Sequence, residues 1–352
     1  MQKRDMGQSD TGRGAANERP TIHDVARLAN VSPATVSKVL RGIGAVKADN
    51  VARIHEAVRE LGFRIDPLAA NLRRSQRSIV GLIVPDFRNP FFGSMVAAFE
   101  RLAEGSGYRL VAVSTVENRE REASQIEALL DWRVAGLIVV PMEETPAAET
   151  SIRDQNVATV LLDRVPDETR FDKVGVNNFE ASAAVIRHLV HLGHRSVLIG
   201  SSSLERTNMR DRMRGVMAAA AQAGIADGIE VVACGFDVAS SMEAMAERFA
   251  RGELPTAAFA LFSPATLAIL REVERRGLTV PADLSVVGFD DVEWMQVTHP
   301  PVAAVIQPIE EIAQAAWTQL MQRLATPGGE PHAFEVLCQL DFRGSVAPPT
   351  RR

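Results

Sequence analysis

Nine short apolar runs, four to six residues each and mostly separated by segments of helical pattern, constrain this chain more than any other feature. They begin at Ile79-Val-Gly-Leu-Ile-Val84 and recur at 109–113, 135–140, 158–162, 173–176, 196–199, 229–233, 257–262 and 284–288. Between the first runs, amphipathic patterns over 92–104 and 120–132 read as helices. A strand without polar alternation is buried on both faces, and helices alternating with such strands cover a parallel, doubly wound sheet. Nine strands exceed one comfortable sheet, so the segment reads as two sub-domains. Ligands in such folds sit beyond the carboxyl ends of the strands, which makes the cleft between the sub-domains the expected small-molecule site.

The first 77 residues have another texture. They carry 14 Lys and Arg against 8 Asp and Glu, a net of +6, whereas the rest carries 25 against 36, a net of −11. A basic head on an acidic body fits a nucleic-acid partner, although a solvated helical surface gives the same charge. Residues 1–20 lack apolar periodicity and read as a flexible arm. Thr21 reads as an N-cap with Asp24 completing a capping box, and Val25, Leu28 and Ala29 share one helix face. Ala29-Asn30-Val31 makes a turn; Ser32 caps a second helix, with Pro33 at its first position. Val36, Val39 and Leu40 point inward, and a third helix spans about 48–61, closing at Gly62.

Two short helices joined by three residues match a helix-turn-helix, whose second helix enters the major groove. The outward positions are Pro33, Ala34, Ser37, Lys38 and Arg41. Lys38 suits guanine O6 and N7; Pro33 and Ala34 offer apolar contacts; Thr35, Ser37 and the amides at the helix start suit phosphates, and the capping residues Thr21 and Ser32 are also expected at the DNA. Asp66-Pro67 opens a stretch, 68–72, too short for a stable isolated helix. A basic linker, Arg73-Arg74-Ser75-Gln76-Arg77, follows.

These motifs carry a family resemblance. Thr21-Ile-His-Asp-Val-Ala26, Asn30-Val-Ser-Pro-Ala-Thr-Val-Ser37, Leu61-Gly-Phe63 and Ala69-Ala-Asn-Leu72 resemble the head and hinge of the lac-repressor (LacI/GalR) family of bacterial transcription regulators. The body agrees in Val84-Pro-Asp86, Asn89-Pro-Phe-Phe92, Asp163-Arg164, Leu192-Gly-His-Arg195, Val286-Val-Gly-Phe-Asp-Asp291 and Phe342-Arg-Gly-Ser345. The resemblance implies an α/β core of two lobes like a periplasmic binding protein, preceded by a small all-α helix-turn-helix head. It implies domains at 21–65 (head), 66–77 (hinge), 78–346 (core) and 347–352 (tail). The lobes are expected at about 78–176 plus 308–334, and 178–305 plus 337–346. In the family a hinge leucine wedges between base steps of the minor groove; Leu72 stands there, with Arg73 beside it. Two departures are Ala70, where Arg is frequent, and Arg41, where Asn is frequent.

The resemblance also implies a homodimer on pseudo-palindromic operator DNA, with a carbohydrate-like effector between the lobes. Phe91 and Phe92 are expected to wall the pocket, with Asp163, Arg164, Asn178, Arg206, Asn208, Arg212, Phe236 and Asp290 around it. Planar bidentate groups and an apolar face are what polyol recognition needs. Where many relatives carry Asn-Asp, this chain has Phe262-Ser263-Pro264. Loss of that carboxylate, with Arg88, Arg164, Arg206 and Arg212 retained, leads to an expected positive pocket and an acidic or phosphorylated sugar as effector.

Other classes fit less well. A solute-binding protein accounts for the body but not the head, and the first residues have no apolar core of a signal peptide. No run is long enough to span a membrane, so a cytoplasmic protein is expected. No GxGxxG, Walker loop or nucleophile elbow appears, so neither enzyme activity nor a cofactor is expected. His188, His191 and His194 lack an acid partner and read as helix-end or solvated groups rather than metal ligands. Cys234 and Cys338 read as buried thiols, a disulfide being the alternative. The residues after Ser345 carry no heptads, so a tetramerising coiled coil is not expected.

Overall fold

The computed structural model describes residues 20–40, 46–63 and 78–350. The chain divides into two compact units, 1–75 and 76–352. The expected arm, the hinge and Arg41, Leu72 and Arg73 lie outside the described residues.

The smaller unit is three helices: α1 (Ile22–Leu28), α2 (Pro33–Leu40) and α3 (Ala48–Leu61). Thr21 caps α1 through a capping box in which its backbone N–H donates to Asp24 Oδ2 at 2.9 Å. Asn30 takes a left-handed φ of 52°, which lets the chain reverse within the turn. Ser32 Oγ accepts from the Thr35 amide at 3.2 Å, capping α2. Gly62, at φ 59°, ends α3. Val25, Ala26, Ala29, Val36, Ile54 and Ala57 are buried between the helices.

The larger unit holds two six-stranded sheets. The first contains β1 (Ile79–Val84), β2 (Arg109–Ser114), β3 (Gly136–Val139), β4 (Ala158–Leu162), β5 (Asp172–Val176) and β11 (Ala333–Val336), in the order β11-β5-β4-β3-β1-β2. All its pairings are parallel. The second contains β6 (Val197–Ser201), β7 (Ile229–Ala233), β8 (Ala257–Ala260), β9 (Ser285–Phe289), β10 (Ala303–Ile306) and β12 (Gln339–Asp341), in the order β12-β10-β9-β8-β6-β7. Here only the edge pair β10–β12 is antiparallel. Both sheets reverse winding direction at their first strand, between β1 and β3 and between β6 and β8, and each reversal opens a crevice at the strand carboxyl ends.

Helices α4 (Pro90–Gly105), α5 (Arg119–Asp131), α6 (Glu149–Asp154) and α12 (Ile309–Ala325) belong with the first sheet. Helices α7 (Asn178–His191), α8 (Thr207–Gln222), α9 (Val238–Ala250), α10 (Ser263–Arg275) and α11 (Glu293–Val297) belong with the second. The chain therefore crosses between lobes three times: after β5, after β10 and between β11 and β12. One close approach fixes the site. A Cβ on Gly215 of α8 would lie 2.2 Å from the Phe179 carbonyl oxygen of α7, so only glycine lets these helices meet.

Three strands escaped the sequence reading. β11 reads Ala-Phe-Glu-Val and β12 Gln-Leu-Asp, short and mostly exposed, so neither shows a buried-strand pattern; pairing to β5 and β10 makes them strands. β10 reads Ala-Ala-Val-Ile, follows Pro300-Pro301 closely, and has only the five-residue α11 between it and β9. β8 stops at Ala260 rather than 262, and Ser263 is the first residue of α10, not part of a loop. β10 and β11 also run to Ile306 and Val336, beyond the expected segment ends.

Candidate effector cleft and nucleic-acid interface

Between the two lobes lies a cleft of about 610 Å³, within the range of small-molecule sites. Its walls are the loops and helix starts that follow β1, β2 and β4 in one lobe and β6 to β9 in the other. Asn89 caps α4 by accepting from the Phe91 amide at 3.0 Å, with Pro90 at the first helical position. That cap sets Phe91 and Phe92 edge to face, 5.1 Å between centroids, as a buried apolar wall. Opposite stands half-exposed Phe236, with the Arg206 guanidinium 5.1 Å from its ring centroid.

Asp163 and Asp290 sit one residue past β4 and β9, both with left-handed φ, 62° and 71°. Non-glycine residues take that conformation at a cost, and such residues cluster at binding sites. Burial pushes both carboxyls above the ordinary aspartate value, against the pull of Arg212. Asp163 Oδ2 accepts from Asn208 Nδ2 at 3.0 Å, and Asp290 Oδ1 from Gln307 Nε2 at 2.6 Å. Arg212 is buried, stacks on Phe289 at 3.4 Å, and donates to Asn178 Oδ1 at 2.7 Å and the Leu261 carbonyl at 2.6 Å. Burial lowers its pKa, and Asp290 and Asp163 oppose that shift.

Arg164 grips Glu117 with both Nη atoms at 2.9 and 2.6 Å, and Arg206 reaches the same carboxylate at 3.4 Å while donating to the Met142 carbonyl. Arg88 forks onto Asp86 at 2.9 and 2.7 Å. Asp237 and Arg271 also line the cleft. Carboxylates thus stand beside the arginines, and Asp86, Glu117 and Asp237 offset the positive charge expected from the four arginines. The acids Asp86, Glu117 and Asp237 come from loops and a helix cap whose convergence no local spacing shows.

Among the expected pocket residues, Phe91, Phe92, Asp163, Arg164, Arg206, Asn208, Arg212, Phe236, Ser263 and Asp290 line the cleft. Asn178 does not: it lies behind the wall, holding the Arg212 side chain. Glu117, Gln307 and Trp294 line it without having been expected. Among the described residues, no group of three or more His, Cys, Asp or Glu has metal-holding geometry. His194 is not solvated: it is buried, with Nδ1 2.8 Å from Thr256 Oγ1 and Nε2 3.0 Å from the Ala347 carbonyl. Both cysteines are free thiols, their pKa values pushed up to about 12 by burial.

On the smaller unit, Ala34 and Lys38 are exposed on α2, Pro33, Thr35 and Ser37 are half-buried, and Thr21 and Ser32 stand exposed at the two helix starts. That places small and cationic groups outward at the start of α2, while Val36 anchors it from behind.

Residues 21–66 match the family described as bacterial regulatory proteins, lacI family, and 186–346 match the periplasmic binding protein-like domain. The HTH-type transcriptional regulator PtxS of Pseudomonas putida is 31% identical over 334 residues, 94% of this chain and 97% of the relative. The chain belongs to the lacI family of bacterial regulatory proteins. The ribose operon repressor of Escherichia coli is 30% identical over 329 residues, 93% of this chain and 99% of its own length. The structure of the lac repressor dimer bound to operator and the anti-inducer ONPF matches with a TM-score of 0.82 at 25% identity, covering 94% of this chain and all of that one. This LacI-family chain is a DNA-binding transcriptional repressor with an effector-binding domain. Among its described residues no helix is long and apolar enough to cross a membrane.

Proposed function

We propose that the chain acts in the cytoplasm as a homodimer, without enzymatic activity, and represses transcription from a pseudo-palindromic operator under control of a carbohydrate-like effector, a sugar acid or sugar phosphate. The observation that carries the effector reading is the pairing of an apolar wall, Phe91 and Phe92, with Asp163, Asp290 and Arg212 in one interlobe cleft. Vicinal hydroxyls both donate and accept, so they satisfy buried carboxylates and a guanidinium together, while the ring face covers the aromatic wall. Asp163 Oδ1 and Gln307 Oε1 are buried acceptors without a hydrogen-bond partner among the described residues, as a site awaiting hydroxyl donors requires. Similarity to a ribose operon repressor supports a carbohydrate-like class.

In this reading Pro33, Ala34, Ser37 and Lys38 of α2 meet base edges, and Arg41 contributes to the same contact. Thr21, Ser32, Thr35 and Arg73 engage the backbone, and Leu72 wedges the minor groove. Two symmetric heads read two half-sites. Effector binding favours one arrangement of the lobes, and the coupling to the operator is the difference in binding free energy between arrangements, typically ~1–3 kcal/mol. Footprinting of the purified protein on DNA flanking its own gene, with and without sugars, sugar acids and sugar phosphates, tests this. A protected palindrome whose protection changes with one compound is the expected result; absence of any protected site overturns it.

A further inference from the structure

Glu117 has features that effector binding in general does not explain. It and Val116 are consecutive non-glycine residues at left-handed φ, 55° and 51°, in the short loop between β2 and α5. Its carboxylate lies between two guanidiniums that come from different lobes: Arg164 follows β4, and Arg206 is the N-cap residue just before α8. Arg164 and Arg206 also repel each other, which adds to the burial that lowers the Arg206 pKa. The Nε atoms of both arginines are buried without a hydrogen-bond partner among the described residues. α8 is a 16-residue helix with no side-chain cap, so its first amides add positive potential beside Arg206. The other arginines nearby are differently engaged, Arg88 by Asp86 and Arg212 by Asn178 and the Leu261 carbonyl. Locally, two cations share one acid at this point.

We infer that Arg164 and Arg206 form an anion subsite of the effector cleft and that Glu117 is its built-in occupant, displaced by the carboxylate or phosphate of the effector. The inference rests on the effector reading above and assigns the place in the cleft where the anionic group of such an effector binds. Exchange of one anion for another keeps both buried guanidiniums paired, so their desolvation stays offset throughout. Glu117 has somewhere to go, because its side chain is 18% exposed and its backbone relaxes on leaving the left-handed region. A neutral sugar has no charge to exchange for Glu117 and would leave two arginines facing hydroxyls. Glu117 thereby acts as a filter, holding neutral polyols off the subsite and yielding to anionic ones.

The test is calorimetric titration of the full-length protein with five- and six-carbon sugar acids, the matching sugar phosphates and the neutral sugars. At least one anionic class is expected to bind, at least about tenfold tighter than its neutral counterpart; the class that does so identifies carboxylate or phosphate as the source. Inorganic phosphate is expected to compete with that ligand in the wild type, a result that needs no variant to fold. Glu117→Gln is expected to tighten the anionic ligand about tenfold by removing its competitor, and Arg164→Met to weaken it at least tenfold. Equal or tighter binding of neutral sugars, no binding by either anionic class, or weaker anion binding in Glu117→Gln each overturns the subsite. Footprints on the same preparations separate the two failures. Operator protection relieved by a neutral sugar keeps the repressor reading and removes the subsite, whereas no protection on any DNA removes the repressor reading itself.

Discussion

Asn208 donates through Nδ2 to Asp163 Oδ2 at 3.0 Å, tying the first turn of α8 in one lobe to the end of β4 in the other. The same amide accepts from the Met209 backbone N–H at 2.9 Å, so its orientation is fixed from behind. Across the cleft this bond, the Arg206 contacts to Met142 and Glu117, and the Arg210–Glu144 ion pair all join the lobes. An occupant of the cleft must therefore replace or reinforce specific interlobe bonds.

Asp163 illustrates what the site costs the fold. Burial raises its pKa, so its contribution to stability is fully present below the unfolded value, about 3.9, and is lost as pH rises through the folded value. Above the folded value its charge opposes folding. Asp163→Asn, which keeps an acceptor for Asn208, is expected to leave the melting temperature unchanged or raise it. Affinity for the ligand that releases operator is expected to fall at least about tenfold. Thermal melts alongside calorimetry check both halves; a clear drop in melting temperature contradicts the first.

Gly215 is the packing counterpart. A methyl there meets the Phe179 carbonyl oxygen, and neither backbone yields without moving α8 away from α7. Gly215→Ala is expected to destabilise the core by roughly 1–3 kcal/mol in urea unfolding. Because α8 carries Arg206, Asn208 and Arg212, effector affinity should fall as well. An unchanged midpoint would mean the helices separate freely.

The C-terminal strap is expected to respond to pH. His188 stacks on Phe342 at 3.6 Å, and His194 holds the Ala347 carbonyl; burial keeps both imidazoles below the ordinary value. The unfolded chain then binds more protons than the folded one as pH falls past the unfolded value of about 6.5. Stability is intact above that value and lost as pH drops toward the folded pKa values. Melting temperatures at about pH 7.5 and 5.5 should differ more in the wild type than in His194→Gln. Equal differences would remove His194 as a contributor.

Lys38 separates base reading from charge. If it donates to a guanine edge, Lys38→Ala should cost ~1–3 kcal/mol on the operator and little on random DNA. Titrations on both DNAs across a range of salt distinguish this from a phosphate contact, which would weaken both equally and reduce the salt slope by about 1.

The head was legible in the sequence because its signals are local. Thr21 with Asp24, Ser32 before Pro33, and Gly62 each act within four residues, so caps and turns are written where they operate. The apolar runs of the inner strands were legible for a related reason, since strands buried on both faces need no partner-specific pattern, while the edge strands β2 and β7 are partly exposed. β11 and β12 were not, because their identity as strands comes from neighbours more than 150 residues away, β5 for the first, and from the returning chain at β10 for the second.

The sequence by itself determined the helix-turn-helix head, the alternating α/β body and most residue types of the cleft, because these follow from short-range chemistry and periodicity. Only the tertiary structure decided how the charges are spent. Folding brings Glu117 from one loop between Arg164 and Arg206 from two others, pairs Arg88 with Asp86, and puts Asn178 behind the pocket it was expected to line. Electrostatic energy depends on distances between groups far apart along the chain, and those distances exist only after two sheets have been wound and the loops at their carboxyl ends brought together.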